Sequence, residues 1–200
     1  NLDNWTFSVW IKRANISAAG NNSYKTIFGL YNTADNQEGL HIQNDDVMYF
    51  QFWQGGAKVG EIKTNRKFRD VGAWYHIVIA YDSTNGTAGD RMKMYVNGVR
   101  ETAFANEDQA GSEFGSLMSS DMQFRIGKQC DNSGTDYFFN GSMSYVVFSN
   151  FQSGTPAPVT EFGETDSTTG EWKIKLSPSV TYGTQGVFVL KNGSSVTDLS

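Results

Sequence analysis

Two loops and three aromatic residues hold the side chains most suited to chemistry. The loop CDNSGTD brings Asp131, Asn132 and Asp136 close together, and ADNQEG does the same for Asp35, Asn36 and Glu38. Carboxylates and amides gathered on loops are the oxygen ligands a hard cation such as calcium takes; Asx-rich loops of this kind also form ordinary turns. Trp53 stands just before Gly55-Gly56, Tyr31 ends an apolar stretch, and Tyr137 lies beside the acidic loop. An aromatic face flanked by amides and acids suits a sugar, which stacks its C–H face and hydrogen-bonds through its hydroxyls. On strands the same aromatic types also fill the core.

Other chemistries find little support. His41 and His76 are the two histidines and Cys130 the one cysteine, so zinc-ligand spacing is absent and no intrachain disulfide can form. His76, between Tyr75 and Ile77, reads as a hydrogen-bonded packing residue. Neither a Gly-x-Ser-x-Gly elbow nor a phosphate-cradling Gly-x-x-x-x-Gly-Lys loop occurs. A formal charge of −5 with scattered basic residues argues against nucleic acid as partner. The tightest basic group, Lys63, Arg66, Lys67 and Arg69, reads as solvated surface. No apolar run approaches the roughly 20 residues of a membrane span, and no signal peptide is expected ahead of the first strand. The lone cysteine fits folding in a reducing compartment.

The elements that must position these residues are strands. In WTFSVWIK, Trp5, Phe7, Val9 and Ile11 share one face, and in RMKMYVNGV, Met92, Met94 and Val96 do the same, following the two-residue period of extended chain. Asn97-Gly98 supplies the positive φ angles that a two-residue type I′ hairpin turn requires. TIFGLYN, LHIQ, VMYFQFW, WYHIVIAYD, MQFRIGKQ, YFFNG and SMSYVVFSN read the same way. A short turn near EFGSLMSS is the best helical candidate. Many short strands between turn formers predict an all-β, two-sheet sandwich or barrel. Composition shifts after Phe151, where QSGTPAPVTEFGETDSTTGE reads as linker, so the chain divides into a domain over 1–151 and a linker with a β extension over 152–200. In the latter, WKIKL and GVFVLKN are two further strands, either a hairpin or the start of a next module. The chain opens at Asn1 and stops at TDLS, and is expected to be a segment of a longer polypeptide.

GAWYHIVIAYD, RMKMYVNGV, FRIGKQ and FFNGSMSYVVFSN, in that order, resemble the laminin G-like and pentraxin-like modules of the concanavalin A-type jelly roll. The matching positions are Trp74, His76, Tyr95, Asn97, Gly98, Ile126, Gly127, Phe139 and Gly141. The resemblance implies an antiparallel jelly-roll sandwich over residues 5–150, and it places a calcium site at the rim near loops of the Asp35 and Asp131 kind. Met143-Ser144-Tyr145 stands where the family usually has an Ile-Asp-Glu type of sequence, so an acidic pair is missing, and the strand that normally precedes WTFSVW is absent. FGETDSTTGEWKI through YGTQGVFVLKN is similar to the region after such modules in bacteriophage virion proteins.

The jelly roll also includes glucanases, whose two carboxylates must flank the scissile bond; the related laminarinase-type enzymes supply them as Glu-x-Asp-x-Glu on one strand. Here Glu164 and Asp166 match, Thr168 replaces the third acid, and the setting is a turn. The resulting expectation is a non-enzymatic, lectin-like module of a phage virion protein. It would be made in the host cytoplasm, displayed on the particle among other virion subunits, and used to adhere to host-surface carbohydrate, with calcium as its one candidate cofactor. The alternative is a structural or decorating module that makes protein contacts without a ligand.

Overall fold

The computed structural model describes residues 2–16, 24–118, 122–130, 136–151, 154–191 and 196–200. In chain order the strands are β1 (Asn4–Arg13), β2 (Lys25–Thr33), β3 (Asn36–Ile42), β4 (Val47–Gln54), β5 (Ala57–Lys67), β6 (Tyr75–Asp82), β7 (Met92–Val96) and β8 (Val99–Arg100). They continue as β9 (Phe104–Asp108), β10 (Arg125–Ile126), β11 (Lys128–Cys130), β12 (Asp136–Phe138), β13 (Gly141–Phe151), β14 (Gly163–Thr165), β15 (Trp172–Ile174) and β16 (Val187–Val189). Two six-stranded sheets result, with orders β16-β13-β1-β6-β7-β8 and β10-β2-β3-β4-β5-β9, and all their pairings are antiparallel. β11-β12 and β14-β15 form separate two-stranded ribbons. No described helix is long and apolar enough to cross a membrane. The described part of EFGSLMSS holds an isolated bridge, Leu2 to Ser116, rather than a helical turn.

The sandwich follows from period-two patterning. Trp5, Phe7, Val9 and Ile11 of β1, Ile77, Ile79 and Tyr81 of β6, and Met92, Met94 and Val96 of β7 point inward. They meet Phe28, Leu30, Leu40, Met48, Phe50, Phe52 and Ile62 of the second sheet. Trp5 bridges the layers, stacked on Tyr81 at 5.6 Å and edge-on to Phe28 and Phe50 at 6.2 and 5.7 Å. Each such fully buried side chain is worth ~1.5–3 kcal/mol. At one end Arg13 of β1 pairs with Asp46, in the β3–β4 turn, at 2.8 Å with both side chains buried; this ties the two sheets together through a charge that has no access to water.

The Asn97-Gly98 turn forms as its sequence predicts, with φ of 49° and 80°. The return strand, however, is only Val99–Arg100, and the chain then crosses to the second sheet, where Phe104–Asp108 pairs with β5. The two C-terminal strands do not pair with each other: β15 joins β14 and β16 extends the first sheet beside β13. Ala157 and Phe162 lie over the outer face of the first sheet, where with Phe188 of the edge strand β16 they bury Val78 and Val147 in a second small core, flanked by Tyr95, Tyr145 and Tyr182.

Trp172 anchors this cover. Its Nε1–H donates to His76 Nδ1 at 2.9 Å. Because an indole nitrogen can only donate, Nδ1 must be the acceptor, so the proton of the neutral ring sits on Nε2 and points to Ser8 Oγ at 2.8 Å. Burial holds the His76 pKa down at about 3, consistent with the neutral form. A Cβ added at Gly98 or Gly163 would lie 2.6 or 2.5 Å from the indole, so both glycines leave the space it occupies.

Candidate functional site

Among the described residues, the outer face of the second sheet is partly exposed around Tyr31 and Trp53. Outward positions on adjacent strands fall into cross-strand rows. One row runs Tyr31, Gln37, Trp53 and Lys58 across β2, β3, β4 and β5; the next runs Gly29, Gly39, Gln51, Glu61 and Asp108; a third runs Thr26, His41, Tyr49, Lys63 and Asn106. With neighbouring strands ~4.8 Å apart, Tyr31 and Trp53 flank the Gln37 amide at a span of roughly 10 Å. Both rings are half-buried.

Polar groups around these rings are held by one another. Trp53 Nε1–H donates to Gln51 Oε1 at 3.3 Å, and Gln37 donates to the Ala34 carbonyl at 3.3 Å. Glu61 accepts from Asn106 at 2.7 Å and from Lys58 at 3.2 Å. Gln129 of β11 donates to Gln37 Oε1 at 3.4 Å and lies over Gly29, where a Cβ would come within 2.8 Å of it. Around the Tyr31–Trp53 row the face therefore offers two aromatic rings, amides able both to donate and to accept, the Glu61 carboxylate and the Lys58 ammonium.

Beyond this row the face is aromatic and closed. Tyr24 contacts His41, Tyr49 and Tyr137 at ring distances of 5.8, 5.7 and 5.5 Å. His41 shares Nδ1 with Thr26 Oγ1 at 3.0 Å, its ring lies against Gly39, and its buried Nε2 has no hydrogen-bond partner. Burial lowers the His41 pKa to about 3, so the ring is neutral.

Of the sequence-derived candidates, Trp53 and Tyr31 come together in one row, while Tyr137 packs in the Tyr24 cluster farther along the sheet. Asp35 and Asn36 stay at the rim, where the Asn36 side chain accepts the Gly55 N–H at 3.2 Å. Glu38 is not with them. It shares the inward parity of Leu40 and Ile42, is 1 % exposed, and accepts from Ser116 Oγ at 2.7 and 2.9 Å and from the Leu117 N–H at 2.9 Å. Burial raises its pKa to about 7. The rim loop thus offers a cation two side chains, one already engaged, against the six to eight oxygens calcium takes. Among the described residues no three His, Cys, Asp or Glu side chains gather as a metal-ligand group. Asp131 and Asn132 lie outside the described residues, as does the side chain of Asp136. Asp166, half of the carboxylate pair weighed against hydrolysis, caps its own turn: it accepts from the Thr168 and Thr169 N–H groups at 2.8 and 2.9 Å and pairs with Lys173 at 3.1 Å.

Sequence reading missed Gln37, Gln51, Glu61 and Asn106. The signal for the first two was present, since Gln51 shares the parity of Trp53, and Gln37 precedes the outward pair Gly39 and His41. Glu61 and Asn106 required the β4–β5 and β5–β9 registers.

A family profile described as Laminin_G_3, concanavalin A-like lectin/glucanases superfamily, matches residues 1–153. No curated protein matches the chain. Among solved structures, the CBM40 module of the Ruminococcus gnavus IT-sialidase bound to α2,3-sialyllactose aligns at 12% identity, covering 76% of this chain and 77% of that one, with a TM-score of 0.50. A native heptameric SAP-like pentraxin from Limulus polyphemus aligns at 12% identity over 90% and 84%, TM-score 0.46. The enzymatically active domain of bacteriophage CBA120 tailspike protein 2 aligns at 13% identity over 80% and 26%, TM-score 0.47. Identities this low speak to fold alone.

Proposed function

Since the chain belongs to the concanavalin A-like lectin/glucanase superfamily, we propose that it is a non-enzymatic glycan-binding module, and that the outer face of its second sheet is the binding surface. The row Tyr31–Gln37–Trp53 carries this reading. Two rings stack on the C–H faces of a saccharide, while Gln37, Gln51 and Glu61 exchange hydrogen bonds with its hydroxyls. Specificity would come from the amides, because an unmatched hydroxyl leaves a buried polar group unpaired. We further propose that the parent polypeptide is a bacteriophage virion protein displaying this face toward a host-surface glycan; the resemblance of residues 162–192 to the region after such modules in phage virion proteins supports that context.

The test is a glycan array probed with the wild-type chain and Trp53→Ala, each with and without chelator. Binding of at least one glycan class by the wild type and its loss in Trp53→Ala is the expected result. No binding by the wild type, or binding that survives the substitution, would overturn the proposal. The chelator arm separates calcium-dependent recognition from direct recognition.

A further inference from the structure

Between the outer face of the first sheet and the β14–β15 ribbon lies a cleft of about 630 Å³, inside the range of roughly 300–1,000 Å³ typical of small-ligand sites. We propose that this cleft is a second saccharide-binding site, separate from the Trp53 face and specific for neutral, flat pyranose chains.

Three indoles line it. Trp10 is 6 % exposed, Trp172 half-buried and Trp74 42 % exposed, and Leu176 at their side is 67 % exposed. Exposed apolar surface grouped in a concavity marks a binding region rather than scattered surface hydrophobics. Two of the rings are fixed in advance. Trp10 stacks on His76 at 4.8 Å and 15°, and Trp172 lies edge-on beside the same ring, centroids 6.0 Å apart and planes 22° from parallel, held by its hydrogen bond to Nδ1. Ordered aromatic walls spare a ligand the entropy of ordering them.

The polar groups select the ligand. Glu164 and Lys173, 3.5 Å apart, and Ser144 share the lining. Lys173 is shared with Asp166 at 3.1 Å, so the cluster carries one net negative charge, which disfavours an anionic ligand while offering acceptors and a donor to hydroxyls; an acyl chain would use neither. An extended peptide is also disfavoured. Trp10 and His76 stand on β1 and β6, interior strands whose backbones are already paired on both sides, so no strand can be added there. Glu164, Trp172, Lys173 and Leu176 all lie beyond residue 153, where the family match ends. The site therefore belongs to this chain's own C-terminal segment rather than to the superfamily scaffold.

The experiment titrates the full 200-residue chain with cellohexaose, xylohexaose and chitohexaose to millimolar concentration, following the indole N–H signals of the five tryptophans by NMR. Movement of the Trp74 and Trp172 signals by at least one hexasaccharide is expected, with Trp74→Ala weakening that binding at least tenfold and Glu164→Gln weakening it severalfold. Trp53→Ala should leave it unchanged, so failure here and failure of the second-sheet proposal are read separately. Unmoved Trp74 and Trp172 signals with all three sugars, or binding lost in Trp53→Ala but kept in Trp74→Ala, would overturn the proposal. Concentration-dependent self-association abolished by Trp74→Ala would also overturn it, assigning the cleft to protein contact.

Discussion

On the outer face of the first sheet, the segment from residue 154 folds back so that Ala157 and Phe162, with Phe188 of the edge strand β16, bury Val78 and Val147; on the outer face of the second, Tyr31, Gln37, Gln51 and Trp53 stay half-buried. Each face also hides one neutral histidine. Under the cover, His76 has both ring nitrogens engaged, by Trp172 and Ser8. Under the tyrosines, His41 engages Nδ1 alone. One sheet architecture can thus use an outer face for stability or leave it for recognition, and on the first sheet the chain following β13 makes it a packed face.

Substitution should cost most at the cover. Phe162→Ala should cost about 3–4 kcal/mol through lost transfer energy and an unfilled cavity. Urea denaturation should show this as a lower midpoint in one transition, because the cover packs on interior strands. Gly98→Ala should cost about 2 kcal/mol, combining a φ of 80° that L-residues resist with displacement of Trp172. It should also shift the Trp172 indole signal, whereas a turn defect alone would not.

The histidines predict acid sensitivity. Their folded pKa values of about 3 lie below the usual 6.5, so their contribution is present above pH 6.5 and lost as pH falls. Glu38, raised from 4.5 to about 7, acts the other way: its contribution is full below pH 4.5 and lost as pH rises through 7. Between pH 5 and 6 the unfolded chain binds nearly two more protons at the histidines and about one fewer at Glu38. Stability should therefore rise by about 1.4 kcal/mol per pH unit, and Glu38→Gln should roughly double that slope. Thermal midpoints at pH 5.0, 5.5 and 6.0 check both statements. The smallest stability effect belongs to the open face: Trp53→Ala should change unfolding free energy by less than about 1 kcal/mol, measured by the same urea titration, while abolishing glycan binding.

Much of the sandwich was legible because strand alternation is local. Trp5, Phe7, Val9 and Ile11 announced an inward face, and Asn97-Gly98 announced its turn. The site was legible in part. Trp53 and Tyr31 drew attention as aromatics near turn formers, but their alignment through Gln37 rests on two strand registers. Glu38 was misleading as a loop acid, since adjacency to Asp35 and Asn36 in sequence says nothing about which side of β3 a carboxylate takes; parity with Leu40 was the better guide. The residues after Phe151 looked like linker because Pro, Gly and Thr dominate them, and the few apolar side chains that bind the cover, Ala157, Phe162 and Phe188, are too widely spaced to form a periodic pattern.

By itself, then, the sequence determined the strands, their inward residues, the type I′ turn and the jelly-roll class, all of which depend on two-residue periodicity and short turn chemistry. Long-range packing set the rest: Trp172 settles between Gly98 and Gly163 on His76, the outer face of the first sheet is covered while Tyr31 and Trp53 of the second stay half-buried, and Glu38 faces inward to Ser116. Those outcomes join residues as many as 151 positions apart, as where Thr6 Oγ1 donates to the Ala157 carbonyl, and they depend on which surfaces remain unburied once the two sheets have packed.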